Sequence, residues 1–114
     1  MNKWDSYFMD VAVRTSQLSK AERLKVGCVF VKDRRIIVCA FNGLPEGIEG
    51  PCEIDGITSP LCCHSEENAI LYAAKTGIPL VGTTVYCTNI PCPRCSRMLY
   101  SVGVKEVFYR FDLS

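Results

Sequence analysis

The chain has 114 residues, 48% hydrophobic and 22% charged, a length that holds one core and a composition that excludes intrinsic disorder, collagen-like repeats and a long coiled coil. Thirteen Lys and Arg against twelve Asp and Glu leave a net charge of +1. That is too little for the dense positive field of a duplex-binding module, so a small-molecule partner is expected and polymeric nucleic acid is not.

Eight cysteines are the outlying number, and in so short a chain they mean either a disulfide framework or thiols kept reduced for a metal or for catalysis. Lys3, Asp5, Asp10 and Arg14 interrupt the apolar positions of the first 16 residues, which removes the apolar stretch of a signal peptide. No uncharged apolar run approaches the ~20 residues of a membrane span. The expectation is a chain in a reducing cytoplasm with mostly free thiols.

In chain order, Trp4, Phe8, Val11 and Ala12 follow the spacing of one helical face, which Leu18 extends toward a stop near Ser19. Val26 to Val31 and Ile36 to Phe41 read as two strands of a hairpin joined through Lys32, Asp33, Arg34 and Arg35. Their nearly continuous apolar runs predict a sheet covered on both faces. From Asn42 to Pro60, four glycines and three prolines without a period predict a long loop. A second helix is expected over Ser65 to Thr76, with Ala69, Ile70 and Ala73 on one face and Gly77 as its stop. Thr83 to Thr88 has strand composition, Pro93 opens a short helix carrying Met98, Leu99 and Val102, and Glu106 to Arg110 closes as a strand. The order α, β, β, α, β, α, β is that of a layered α/β domain, its second half a right-handed β-α-β unit with parallel strands.

Cys92-Pro93-Arg94-Cys95 places two thiols three residues apart at a helix start, where both can reach one ion. A redox pair, half of a four-cysteine structural zinc site and part of a catalytic zinc site all use this spacing. Cys62 and Cys63 are adjacent and point apart, and Cys28, Cys39 and Cys87 lie in strands where cysteine behaves as a small hydrophobe. A four-cysteine site is therefore awkward, though open. His64, the one histidine, also precedes a helix, and consecutive β-α units bring such helix starts to one sheet edge. His64, Cys92 and Cys95 are then three ligands with a fourth position free, the arrangement of catalytic zinc. The positive end of each helix is expected to lower the thiol pKa values. Glu66, just inside the helix, is placed to carry protons, whereas Glu67 is rotated by about 100° and faces elsewhere.

His64-Ser65-Glu66 followed by Pro91-Cys92-Pro93-Arg94-Cys95 resembles the H-x-E…P-C-x-x-C signature of the zinc-dependent cytidine and deoxycytidylate deaminases. Val26 to Asp33, Phe41-Asn42-Gly43, Glu66 to Leu71 and Ser101 to Val107 are similar to the deoxycytidylate branch, so the likeness runs from Trp4 to Tyr109. It implies a three-layer α/β fold with helices on both faces of a mixed sheet of four strands, with a fifth in many relatives. The implied reaction is hydrolysis of dCMP to dUMP and ammonia, zinc hydroxide attacking C4 while Glu66 deprotonates the water and protonates the ring nitrogen and departing amine. One catalytic zinc on His64, Cys92 and Cys95 is implied; a second metal at Cys52, Cys62 and Cys63 is less favoured than free thiols. Asn42 matches the position that hydrogen-bonds the sugar, and the backbone at Ser65 the position that holds the base carbonyl. Ser65 itself stands where alanine is usual. For the phosphate, the expectation from position is Arg94, from a basic set of Lys20, Arg23, Lys25, Lys75, Arg94 and Arg97. The resemblance also implies a homo-oligomer with dCTP and dTTP as effectors, and a single domain over 1–114 that is short at its C-terminus. Deamination of another cytosine nucleotide or nucleoside or of a nucleic-acid base, and a zinc module without catalysis, are the competing readings.

Overall fold

The computed structural model describes residues 1–111. Helix α1 (Lys3–Ser16) opens on a reciprocal cap in which Asn2 Oδ1 accepts from the Asp5 backbone N–H at 2.9 Å and the Asn2 N–H donates to Asp5 Oδ2 at 3.2 Å. The cap satisfies donors that the first helical turn leaves free. Phe8, Met9 and Ala12 face inward, Trp4 sits at the margin stacked on Phe8, and Leu18 lies beyond the helix and is exposed. The apolar face is therefore shorter at its C-terminal end than the spacing predicts, because the helix stops at Ser16.

Strands β1 (Gly27–Lys32) and β2 (Arg35–Phe41) form the expected hairpin. Asp33 and Arg34 make its two-residue turn at φ 51° and 59°, the left-handed pair that suits the twist of the strands. The segment predicted as a loop contains a second, smaller hairpin, β3 (Glu53–Ile54) and β4 (Ile57–Thr58), turning at Asp55 and Gly56 with φ 53° and 76°. Two-residue strands are too short to leave a period in the sequence, so only the Asp-Gly pair signals them. Helix α2 (Ser65–Thr76) has the predicted bounds and ends on Gly77 at φ 74°. Strand β5 (Thr84–Asn89), helix α3 (Pro93–Ser101) and strand β6 (Glu106–Phe111) complete the order.

The main sheet runs β2-β1-β5-β6, with β1 antiparallel to both its neighbours and β6 parallel to β5. Alternation along the central strands sorts the core into two layers. Val29, Val31 and Tyr86 meet Phe8, Met9 and Ala12 of α1, whereas Cys28, Phe30, Val85 and Cys87 meet Ala69 and Ala73 of α2 and Leu99 of α3. Helices cover both faces of a four-stranded mixed sheet, as expected, and among the described residues that sheet has no fifth strand. Coverage of both faces holds for β1 but not for β2, where Ile36 and Cys39 are exposed. Cys39, predicted as a core residue, is thus a surface thiol: it pairs with Val29 on the α1 face of the sheet, and the cluster beneath α1 includes no residue of β2, whereas Val38 on the opposite face is buried. No helix among the described residues is long and apolar enough to cross a membrane.

One close approach holds α1 on the sheet. A Cβ at Gly27 would stand 2.4 Å from the Ala12 carbonyl oxygen, 2.6 Å from the Ser16 nitrogen and 2.9 Å from the Ser16 Cα. All three are backbone atoms and cannot rotate away. Gly27→Ala is expected to destabilise the fold by about 3 kcal/mol, at the upper end of overpacking costs, with the loss read by urea denaturation; a loss under about 1 kcal/mol would show that α1 shifts freely.

Candidate active site

Helices α2 and α3 pack on the same sheet face and bring their N-termini together. His64 is the N-cap residue of α2 and Cys92 that of α3, with Pro93 in the first turn. The Cys95 backbone N–H donates to Cys92 Sγ at 3.4 Å, so that sulfur also caps its helix. His64 Nδ1 stands 3.5 Å from Cys92 Sγ and 3.4 Å from Cys95 Sγ. Zinc bonded to nitrogen at about 2.05 Å and to sulfur at about 2.3 Å with tetrahedral angles separates such donors by about 3.5 Å. The donor set therefore fits zinc. Among the described residues these three form the one group of metal-ligating side chains whose donor atoms all lie within 4.8 Å of one another.

Burial, and then the nearby Glu66 carboxylate, push the Cys95 thiol up in the metal-free chain. This corrects the expectation that the helix N-terminus lowers it: Cys95 is fully buried, and loss of water outweighs the partial charge of one helix end. A bound dication would favour the Cys95 thiolate.

Glu66 is buried at 3% exposure directly beside the donors, and Ser65 Oγ, itself wholly buried, donates to its Oε1. Cys28 and Cys87 pair across β1 and β5 behind it, their thiols pushed up by burial and by Glu66. Both stay neutral, so no second negative charge accumulates there. Glu67 does turn away: its Oε1 accepts from the His64 backbone N–H at 3.2 Å and meets Arg94 Nη2 at 3.5 Å.

A cavity of about 330 Å³ opens over this group, lined by His64, Ser65, Glu66, Cys92, Asn42 and Asn89 and extending to Arg23, Glu53 and Thr58. That is room for a small organic ligand. Asn42 is built into its wall, with Oδ1 accepting from the Val26 N–H at 2.9 Å and Nδ2 donating to the Leu24 carbonyl at 2.8 Å. Asn68 holds the same loop from α2, its Nδ2 donating to the carbonyls of Phe41 and Gly43 at 3.1 Å each. The structure thus brings together His64, Ser65, Glu66, Cys92, Cys95 and Asn42. Arg94 is not among the lining residues; its guanidinium goes to Glu67.

Residues 2–111 match the cytidine and deoxycytidylate deaminase zinc-binding region. The chain belongs to this deaminase family. The deoxycytidylate deaminase of Mycobacterium phage D29 is 36% identical over 121 residues, covering 93% of each chain. That of Schizosaccharomyces pombe is 36% identical over 118 residues, but this chain spans only 36% of its length. In three dimensions the dCMP deaminase of cyanophage S-TIM5, solved with dCMP and dUMP, superposes with a TM-score of 0.93 at 37% identity, over 99% of this chain and 85% of that one. The deaminase signature accounts for two of the eight cysteines.

Among the others, Cys62 and Cys63 line the cavity and Cys52 is buried. Burial, then the neighbouring Cys52, push the Cys62 thiol up to about 11. These three are not among the described metal-donor groups. Sequence reasoning missed Glu53, Thr58 and Asn89 as lining residues; the first two enter through the small hairpin, for which the Asp55-Gly56 pair was the one signal.

Proposed function

We propose that the chain hydrolyses dCMP to dUMP and ammonia, with one zinc ion on His64, Cys92 and Cys95 and with Glu66 as proton carrier. The observation that carries the reading is the zinc-sized separation of His64 Nδ1 from the two sulfurs beside the buried Glu66 carboxylate. Zinc, when bound, acidifies a coordinated water to a pKa of about 7 and so provides a nucleophile at neutral pH.

The protein's own groups do the rest. Glu66 takes a proton from the attacking water and returns protons to the pyrimidine ring nitrogen and the departing amine as the C4–O bond forms and the C4–N bond breaks. The Ser65 hydroxyl orients that carboxylate. Ser65 is also the first residue of α2, so its backbone N–H has no partner within the helix and is free for the base carbonyl. Asn42 donates one amide hydrogen to Leu24; the other serves the sugar. With Arg94 engaged by Glu67, the phosphate falls to Arg23, the arginine that lines the cavity.

The family resemblance supports a homo-oligomer acting in the cytoplasm, with dCTP and dTTP as effectors. Zinc-loaded protein assayed by ultraviolet absorbance on dCMP, dCTP, cytidine and a short oligonucleotide tests the reading. Turnover is expected to be fastest on dCMP; faster turnover of the oligonucleotide or no reaction with dCMP sinks it.

A further inference from the structure

The small hairpin makes a contact that no motif announces. Glu53, at the start of β3, lays its carboxylate on two consecutive backbone amides. The Glu22 N–H donates to Oε1 at 3.2 Å and to Oε2 at 3.1 Å, and the Arg23 N–H donates to Oε2 at 3.2 Å. Thr58, the cross-strand partner of Glu53 on β4, accepts from Arg23 Nη1 at 3.4 Å. Arg23, Glu53 and Thr58 all line the cavity that holds His64 and Glu66. Consecutive backbone N–H groups beside a guanidinium are an oxyanion-binding arrangement, and a side-chain carboxylate holds it here.

We propose that Glu53 is an internal competitor for the phosphate subsite at Arg23, which the substrate's phosphate displaces from the Glu22 and Arg23 amides. The inference rests on the nucleotide reading of the cavity. A phosphate and a carboxylate cannot share these donors without like-charge repulsion, so one must leave. The hairpin is free to do so. Its strands have two residues each, and Ile54 and Ile57 are 54% and 70% exposed, so no apolar face holds it down. Its base is fixed by buried Cys52 and Ser59, joined by a Ser59 N–H to Cys52 carbonyl bond of 2.7 Å. A nucleoside brings no anion to displace Glu53, so the device selects for nucleotides.

Glu53→Gln tests this, since it removes the charge and keeps an acceptor oxygen. Zinc-loaded parent and variant are titrated with inorganic phosphate, read by the unfolding temperature, and assayed on dCMP and deoxycytidine. Phosphate is expected to bind about fivefold tighter to the variant, and the ratio of kcat/KM for dCMP over deoxycytidine to rise by about the same factor, the scale of a part-exposed charge contact. If Glu53 merely clamps the Glu22–Arg23 loop, phosphate binding weakens and the ratio falls, which overturns the proposal. Hydrogen exchange on the parent protein gives an answer that does not depend on the variant folding. Saturating phosphate is expected to speed exchange over residues 53–58 several-fold while the Glu22 and Arg23 amides stay protected; slower exchange over 53–58 overturns the proposal. Neither phosphate titration nor exchange needs turnover, so failure of the deaminase reading, seen as no reaction with dCMP, is separately visible.

Discussion

Glu66→Gln is expected to lower kcat on dCMP by about 10³- to 10⁴-fold, the contribution of a positioned proton carrier, while zinc stays at one ion per chain. Glutamine keeps the shape of a side chain that is 3% exposed and can still accept from Ser65 Oγ; what it loses is the ability to take up and release a proton. Glu66 lies outside the group of metal donors, so its replacement should leave the ion in place. Steady-state kinetics by ultraviolet absorbance with zinc measured by mass spectrometry on the same samples decides the matter. A fall in kcat of less than about tenfold means another group moves the protons, and a matching loss of zinc means that Glu66 is a ligand instead.

The second large effect is at the metal. Cys95→Ser is expected to reduce zinc affinity by more than about 100-fold and to abolish turnover, because a hydroxyl does not replace a thiolate as a soft ligand. Stability should follow the metal, since an ion that binds only the folded chain stabilises it by mass action. Cys95 is fully buried in the first turn of α3, with its Sγ 3.4 Å from His64 Nδ1 at the α2 N-terminus. Its loss as a ligand therefore loosens the junction of both helices. The parent protein stripped by a chelator is expected to unfold several degrees lower than the zinc-loaded form, and Cys95→Ser to unfold at the stripped value with or without chelator. A Cys95→Ser protein that keeps stoichiometric zinc and the parent's unfolding temperature would remove Cys95 from the site.

The amino-acid sequence alone determined the parts of this protein that rest on local rules. Helix α2 is bounded by His64 and Gly77, α3 begins at Pro93, and the first hairpin turns at Asp33 and Arg34; caps, turn residues and apolar period act within a few positions, so they are legible in one dimension. The three side chains proposed as metal donors were legible for the same reason, because Cys92 and Cys95 are spaced for one ion and His64 stands two residues before Glu66.

What depends on packing between distant segments was decided only by the tertiary structure. Cys39 has the composition of its strand-mates but lies on an edge, and in the metal-free chain burial pushes the Cys95 thiol up despite its place at a helix start. Arg94 stands beside the ligands in sequence yet pairs with Glu67, while Arg23, some 70 residues away, lines the cavity. Glu53 meets the Glu22 and Arg23 amides across 30 residues through a hairpin too short to leave a period. Chain spacing predicts which side chains share a helix turn; which charge meets which partner across a cavity is settled by how the layers pack, and no periodicity encodes that.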